Sequence, residues 1–286
     1  MYLNGFKPVI FLTFAAACLF TACSTQVKTP VQICPGKTSA AESVAVLKQR
    51  SSQQISLKAN GKCHAQFYID DKLNDENFPI KIWVDSPDSL RFQGDLFLNP
   101  SGLILGTDAD NFWLALKPNE IDSYISGQWS EQSKEDKLLL DPRMILEAIG
   151  LIQIDNSLQW SLLNRPGVDI LIGRDVKEKW SKTIYIDNCD YRIMKIEYLS
   201  DDKTLIVSAE LTDYKEVTPG FTVPQKIKIT AFSDGPAPNK FEITLDSVKQ
   251  TVFTSRQKNV IFTKPDTKGF KNIYRLINGQ LVKQPQ

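Results

Sequence analysis

Histidine is nearly absent from this chain: its 286 residues include one, His64. That excludes a metal site built on several imidazoles and leaves any histidine-dependent nucleophile resting on a single side chain. His64 falls on the polar side of an alternating stretch, the position of an exposed residue. Strings that mark phosphate loops, zinc proteases or serine-hydrolase elbows are missing too. Charge of either sign is not in excess: 34 Lys and Arg face 33 Asp and Glu, so the basic footprint of a nucleic-acid binder is lacking. No CxxC pair occurs, which argues against a zinc or dithiol site. Asp70 and Asp71, Asp108 and Asp110, and Asp201 and Asp202 sit in turn-like stretches, where aspartate serves the backbone, and none has calcium-loop spacing. The expectation is a protein without catalysis, cofactor, metal or nucleic-acid partner.

Apolar material is plentiful. Hydrophobic residues make up 42% of the chain and charged ones 23%, the composition of a globular body with a real core. At the N-terminus Lys7 precedes an apolar run from Pro8 to Ala22. The run is shorter than the ~20 residues a spanning helix needs, and it has the layout of an export signal. Its end, Leu19-Phe20-Thr21-Ala22-Cys23, resembles a bacterial lipobox, with Phe20 where leucine is usual. Cys23 is therefore the expected lipidated residue. Cys18 is a weaker candidate, because its apolar run would be truncated. Loss of Lys7 with the leader balances the remaining charges, so attachment to a membrane would come from the lipid and not from basic side chains. Ser24 after the cysteine, by the same resemblance, favours the outer membrane.

Three organisational units follow: a signal peptide over 1–23, a tether over 24–38 with Pro30, Pro35 and Gly36, and one β domain over 39–286. Cys34, Cys63 and Cys189 remain in the mature chain, an odd number that permits at most one internal pair in an oxidising compartment. The sequence leaves the pairing open. Cys63 falls at an inward position of a strand and Cys189 at a hairpin tip.

Ser39 and Glu42 have capping-box spacing and predict a helix to about Gln53. From Ile55 the pattern turns to period two. Ile55, Leu57, Ala59, Gly61, Cys63, Ala65, Phe67 and Ile69 alternate with Ser56, Lys58, Asn60, Lys62, His64, Gln66, Tyr68 and Asp70. A strand this long requires long neighbours and a large coiled antiparallel sheet with one apolar face. Further strands are expected at 78–84, 90–98, 103–106, 111–117 and 121–129. Asp141-Pro142 then opens a helix whose apolar residues run to Leu151. A second block follows at 183–187, 192–199, 204–211, 225–232 and 240–248. The tail from Phe262 adds a further short strand or helix. The count is ten or eleven strands and two helices, the helices covering the apolar face. Trp113, Trp129, Trp160 and Trp180 serve packing or cavity lining.

This arrangement resembles the LolA/LolB family of lipoprotein carriers. The stretches that carry the resemblance are Asp88–Phe92 through Leu98–Gly102, the helix at Asp141–Leu151, and the pair Leu211–Tyr214 and Pro224–Ile229. It implies an unclosed, mainly β barrel covered by a few helices, with an apolar cavity for acyl chains. The inward residues expected to line it are Leu57, Phe67, Ile82, Phe92, Leu96, Phe112, Leu114 and Met144. The family's membrane-insertion turn corresponds to 98–102. Leu98 and Leu103 are the candidates there, and Ser101 stands at the tip. The function implied is that of a monomeric, lipid-anchored outer-membrane protein that binds acyl chains of lipoproteins or lipids in lipoprotein transport. Two alternatives share the composition: an envelope stress sensor of the RseB type, and a structural lipoprotein with a filled interior that works through protein contacts.

Overall fold

A computed structural model describes residues 33–53, 55–69, 71–85, 87–118, 121–132, 142–175, 180–232 and 236–285. The signal peptide, Cys23, most of the tether and Asp141 lie outside the described residues. Cys34–Gln286 form one compact unit.

Helix α1 (Ala40–Ser51) comes first. Strands β1 (Ser56–Ile69), β2 (Lys72–Asp85), β3 (Ser89–Gly94), β4 (Leu103–Thr107), β5 (Asn111–Leu116) and β6 (Ser123–Gln128) follow. Helix α2 (Arg143–Ala148) separates them from β7 (Gln159–Arg165), β8 (Val168–Asp175), β9 (Trp180–Asp187), β10 (Ile193–Ser200), β11 (Leu205–Thr218), β12 (Phe221–Ala231) and β13 (Asn239–Gln250). Helix α3 (Ser255–Ile261) leads to β14 (Asn272–Ile277) and β15 (Gln280–Lys283).

Among the described residues the fifteen strands make one sheet, in the order β15-β14-β6-β5-β4-β3-β2-β1-β13-β12-β11-β10-β9-β8-β7. Each half is a meander of neighbouring hairpins, the arrangement that short connections favour. β1 joins the halves by pairing with both β2 and β13. β14 lies parallel to β6. The sheet is large, as the alternation implied, and it forms the unclosed, mainly β barrel that the resemblance implied. It has more strands than expected, because β7, β8 and the β14–β15 hairpin join it, and three helices where two were expected.

Period-two burial defines a concave face. Leu57, Ala59 and Cys63 of β1, Ile80, Ile82 and Val84 of β2, and Ile184, Ile186 and Ile196 across β9 and β10 all belong to one buried cluster. Leu47 of α1 and Met144, Ile145 and Leu146 of α2 cap this cluster. The outer face of β4–β6 carries a second, small core. There Ile104, Trp113, Ala115 and Tyr124 lie under Phe270 from the C-terminal segment. Both phases of these strands are therefore apolar.

β1 bends where its register against β13 shifts, between Asn60 and Gly61. A Cβ on Gly61 would stand 2.1 Å from the Thr244 carbonyl oxygen. Backbone cannot give way as a flexible side chain does, so Gly61→Ala is expected to cost about 1–3 kcal/mol in urea denaturation. An unchanged midpoint would contradict this packing.

Local chemistry sets the helix ends. Ser39 Oγ accepts from the Glu42 N–H at 3.2 Å, but the Glu42 carboxylate turns to the Thr38 N–H and hydroxyl and not to the Ser39 N–H. Half of the expected capping box forms. α2 is shorter than its apolar pattern, since Gly150, at φ +97°, turns the chain after Ile149. β3 is also shorter than its alternation. After Gly94 the chain makes a 3₁₀ turn over Leu96–Leu98, with Phe97 and Leu98 at positive φ.

The segment before α1 is fastened to the far half of the sheet. A disulfide joins Cys34 to Cys189, 155 residues away, at the β9–β10 turn. Beside it the Lys37 N–H donates to buried Asp169 Oδ2 at 2.8 Å, and Asn164 Nδ2 donates to the Lys37 carbonyl at 3.0 Å. At the end of α1, Arg50 donates to the carbonyls of Asp190 and Tyr191, each at 2.6 Å. Cys63 is the free cysteine among the described residues, and burial pushes its thiol up to about 12. It packs as a small apolar residue.

Candidate functional site

The inward residues do not gather around one open space. Leu57, Ile82, Phe92, Leu96 and Met144 are buried in the main cluster, and half-buried Phe67 packs against it. Phe112 belongs to a separate cluster with Trp129 and Leu276. Leu114 is half-buried beside Leu105, its register partner in β4. Where Leu57, Ile82 and Val84 face Ile149 and Leu245, the free volume is about 10 Å³. That is room for no more than about one water molecule.

An open space lies beside α2, where a pocket of about 410 Å³ opens between that helix, the 151–158 loop and the inward faces of β9 and β10. Of the expected lining residues, Met144 borders it. Its wall is not purely apolar. β9 presents Trp180, Lys182, Ile184 and Ile186 on one face, so a lysine occupies an apolar phase. Lys182 is 4% exposed and Glu147, on α2, 8%. Lys182 Nζ meets Glu147 Oε1 at 2.5 Å, and the Tyr198 hydroxyl donates to Glu147 Oε2. Tyr198 is the register partner of Lys182 across β9 and β10, and its ring stacks with Trp180 at 6.1 Å. The indole N–H of Trp180, itself 8% exposed, has no acceptor among the described residues.

This pair ties α2 to the sheet. Removing two charges from water costs several kcal/mol each, and only close, fully bonded geometry offsets that. Glu147 meets the condition, with each oxygen engaged. The sequence reading missed both residues, although a lysine in phase with Trp180, Ile184 and Ile186 is a legible signal. Its partner, 35 positions away on a helix, is not.

A second pocket, of about 490 Å³, lies near the Cys189 turn between Arg50, Asp190, Arg192 and Tyr214. Its polar groups are spent on each other. Arg50 holds backbone carbonyls, Arg192 pairs with Asp190, and the Tyr214 hydroxyl donates to the Ile193 carbonyl. Burial raises the Asp190 carboxyl, but Arg192 and Arg50 outweigh it and hold the group below its ordinary range. The stabilisation this provides is complete above the ordinary carboxylate range and is lost as pH falls through the depressed value.

The 95–102 loop sets one apolar side chain in water. Leu98 is 98% exposed, while its neighbour Phe97 packs edge-on against Phe67 at 6.3 Å. The Ser101 N–H donates to Asp95 Oδ1 at 2.8 Å, and the Gly102 N–H to the Asn99 carbonyl at 2.9 Å. The loop is thus held in shape by its own bonds. Leu103 turns inward, half-buried against the main cluster.

Among the described residues no group of three or more His, Cys, Asp or Glu is placed to hold a metal. Half-exposed His64 meets Asp75 at 2.7 Å. No helix among the described residues is long and apolar enough to cross a membrane.

Solved structures share this architecture. A Vibrio parahaemolyticus domain described as an outer membrane lipoprotein-sorting protein superposes with a TM-score of 0.55 at 14% identity, over 78% of this chain and 97% of its own. A LolA superfamily protein from Nitrosomonas europaea gives 0.50 at 13% identity, over 80% and 99%. The fold is LolA/LolB-like. A DUF1329 family protein from Desulfovibrio piger superposes with a TM-score of 0.51 at 13% identity, over 77% of this chain and 95% of its own. None of the three is described as an enzyme. No family model matches the sequence, and no curated protein matches it either.

Proposed function

We propose that this chain is a cell-envelope lipoprotein, lipidated at Cys23, that binds acyl chains of lipoproteins or lipids on the periplasmic face of the outer membrane. The observation that carries the reading is the pocket beside α2, about 410 Å³ on the concave side of a LolA-like half-barrel, where Met144, Leu146, Leu151 and Leu158 line it together with the Lys182–Glu147 pair. That volume lies in the ~300–1,000 Å³ range of small-molecule sites. Hydrocarbon would gain about 0.8 kcal/mol for each CH₂ buried there. The test uses the chain from Ser24 onward, exported behind a cleavable leader and purified without detergent. It should bind a fluorescent acyl-chain probe with one saturable site, and a pocket-filling Met144→Trp should abolish binding.

In this reading Leu98 is the residue that touches the membrane during transfer. Its side chain touches no core, so Leu98→Glu should leave stability unchanged. Vesicle association of the unlipidated chain should fall about 10-fold or more, as expected for losing a buried leucine. Equal co-sedimentation of the two forms with neutral vesicles would remove the loop from the mechanism.

The tight packing around Leu57 and Ile82 supports a second reading. In it the body works through protein–protein contacts, as a stress sensor or structural lipoprotein. A chain that is recovered without lipid and takes up no acyl probe selects that reading.

A further inference from the structure

The balanced charge of the whole chain hides a local excess on the convex face. There the buried residues of β1 alternate with exposed Lys58, Asn60 and Lys62. Strand register sets Arg91, Trp83, Lys58 and Lys249 in one row across β3, β2, β1 and β13. The next row on that face holds Gln93, Lys81, Asn60 and Ser247, and the one after it Pro79, Lys62 and Thr244. These rows contain lysines and an arginine but no acid. Exposed Asp246, skipped by the register between Leu245 and Ser247, is the nearest carboxylate along β13. Among the described residues no carboxylate is within ion-pair distance of Lys58, Lys62, Lys81 or Lys249. Lys58 and Lys249 stand directly opposite each other, an arrangement that costs stability and that an anion laid over the pair would relieve.

Helix α3 is fastened beside the first row. Phe253 and Phe262 meet edge to face at 5.4 Å, Lys258 Nζ reaches Asp85 Oδ2 at 2.6 Å, and Arg91 donates to the Ile261 carbonyl at 3.2 Å. This leaves Val252 89% and Val260 71% exposed, with exposed Arg256 between them in sequence. Residues 249–268 carry Lys249, Arg256, Lys258, Lys264 and Lys268 against Asp266 alone. We propose that the convex face at the α3 end is a docking surface for an anionic phospholipid bilayer. Lys58, Lys81, Lys249 and Arg256 meet the headgroups, and Val252 and Val260 enter the interface. Lysine is depleted from protein interfaces, whereas clusters of about 4–8 Lys and Arg near a membrane attachment suit anionic lipid. The attachment lies at the same end. β9, β11 and β13 run in one direction, so the β9–β10 turn that holds Cys34 is at the end of the sheet where β13 leads into α3. The chain from Cys23 to Cys34 reaches at most about 40 Å, so a lipid at Cys23 keeps this end close to the bilayer. Leu98 lies beyond Gly94, at the opposite end of β3, and is held off the surface until the body tips over for transfer. The proposal goes beyond the acyl-chain reading and does not depend on what the pocket beside α2 holds.

The experiment measures co-sedimentation of the unlipidated chain from Ser24 onward with two kinds of vesicle, phosphatidylcholine alone and phosphatidylcholine mixed with phosphatidylglycerol. At about 0.05 M salt the wild type should bind the anionic vesicles about 10-fold tighter or more, and the gain should fade at about 0.5 M salt. A triple variant, Lys58→Gln, Lys249→Gln and Arg256→Gln, should lose most of that gain and keep the wild-type affinity for neutral vesicles, which reports Leu98. Its urea midpoint should be no lower than that of the wild type, since the opposed lysines are gone. A control with the same change of charge at the other end of the sheet, Lys72→Gln, Lys203→Gln and Lys240→Gln, should keep most of the gain. Equal loss in the two triple variants overturns the proposal, because binding then follows total charge and not this surface. Equal binding of the wild type to neutral and anionic vesicles also overturns it and leaves the patch to an acidic protein surface. Either result leaves acyl-chain binding in the pocket standing.

Discussion

Lys182→Met is expected to lower the stability of the body by about 3–5 kcal/mol, the usual cost of leaving one member of a buried ion pair behind. Glu147 would then stand 8% exposed in an apolar face with the Tyr198 hydroxyl as its remaining partner among the described residues. Adding Glu147→Gln should recover most of the loss. A neutral amide needs no counter-charge, and methionine fills much of the lysine stem's volume. Urea denaturation of the two single variants and the double variant gives the coupling directly. A Lys182→Met midpoint equal to that of the wild type would mean that the pair is not buried as described. The consequence reaches the site, because this pair holds α2 over the concave face and sets one wall of the pocket.

The second large effect is expected from the Cys34–Cys189 bridge. It closes a loop of 155 residues, for which chain entropy gives about 5 kcal/mol of stabilisation. Engineered bridges often return less, but here Asp169 and Asn164 independently hold Lys37 in the same segment before α1, the strap, and Arg50 at the end of α1 holds the β9–β10 turn. Cys34→Ala with Cys189→Ala should lower the thermal midpoint by several degrees. The strap should also become the first site of proteolytic cutting. Thiol labelling offers a check on the same molecule. The folded, unlipidated chain should label slowly, because its single free thiol, Cys63, is buried and held protonated by burial. Reduction should expose two fast thiols, with the third appearing on unfolding. An unchanged midpoint in the double variant would show that the other ties hold the strap alone.

Much of the concave face was legible because burial on one side imposes period two. Leu57, Cys63 and Ile82 sit inward as their phase requires. The period-two pattern breaks down where that physical premise does. On β4–β6 the C-terminal segment buries the outer face as well, so Trp113 and Phe112 are both inside, on opposite sides. At 96–98 the alternation runs on in sequence, but Phe97 and Leu98 adopt left-handed backbone that no propensity predicts for large residues. β14 pairs with β6 about 150 positions earlier, a relation no local pattern contains. The disulfide was open among three cysteines until the topology brought the strap to the β9–β10 turn. The binding site was legible only in part. Lys182 breaks the apolar phase of its strand and could have been singled out, whereas Glu147 and the pocket exist only once α2 is laid across β9 and β10.

Native mass spectrometry of the unlipidated chain, released from the envelope without detergent, tests the central claim most directly. Acyl-chain binding beside α2 predicts the mass of the protein plus an acylated adduct, lost in the pocket-filling Met144→Trp. A bare chain in every charge state, unchanged after incubation with diacyl lipid, would contradict it.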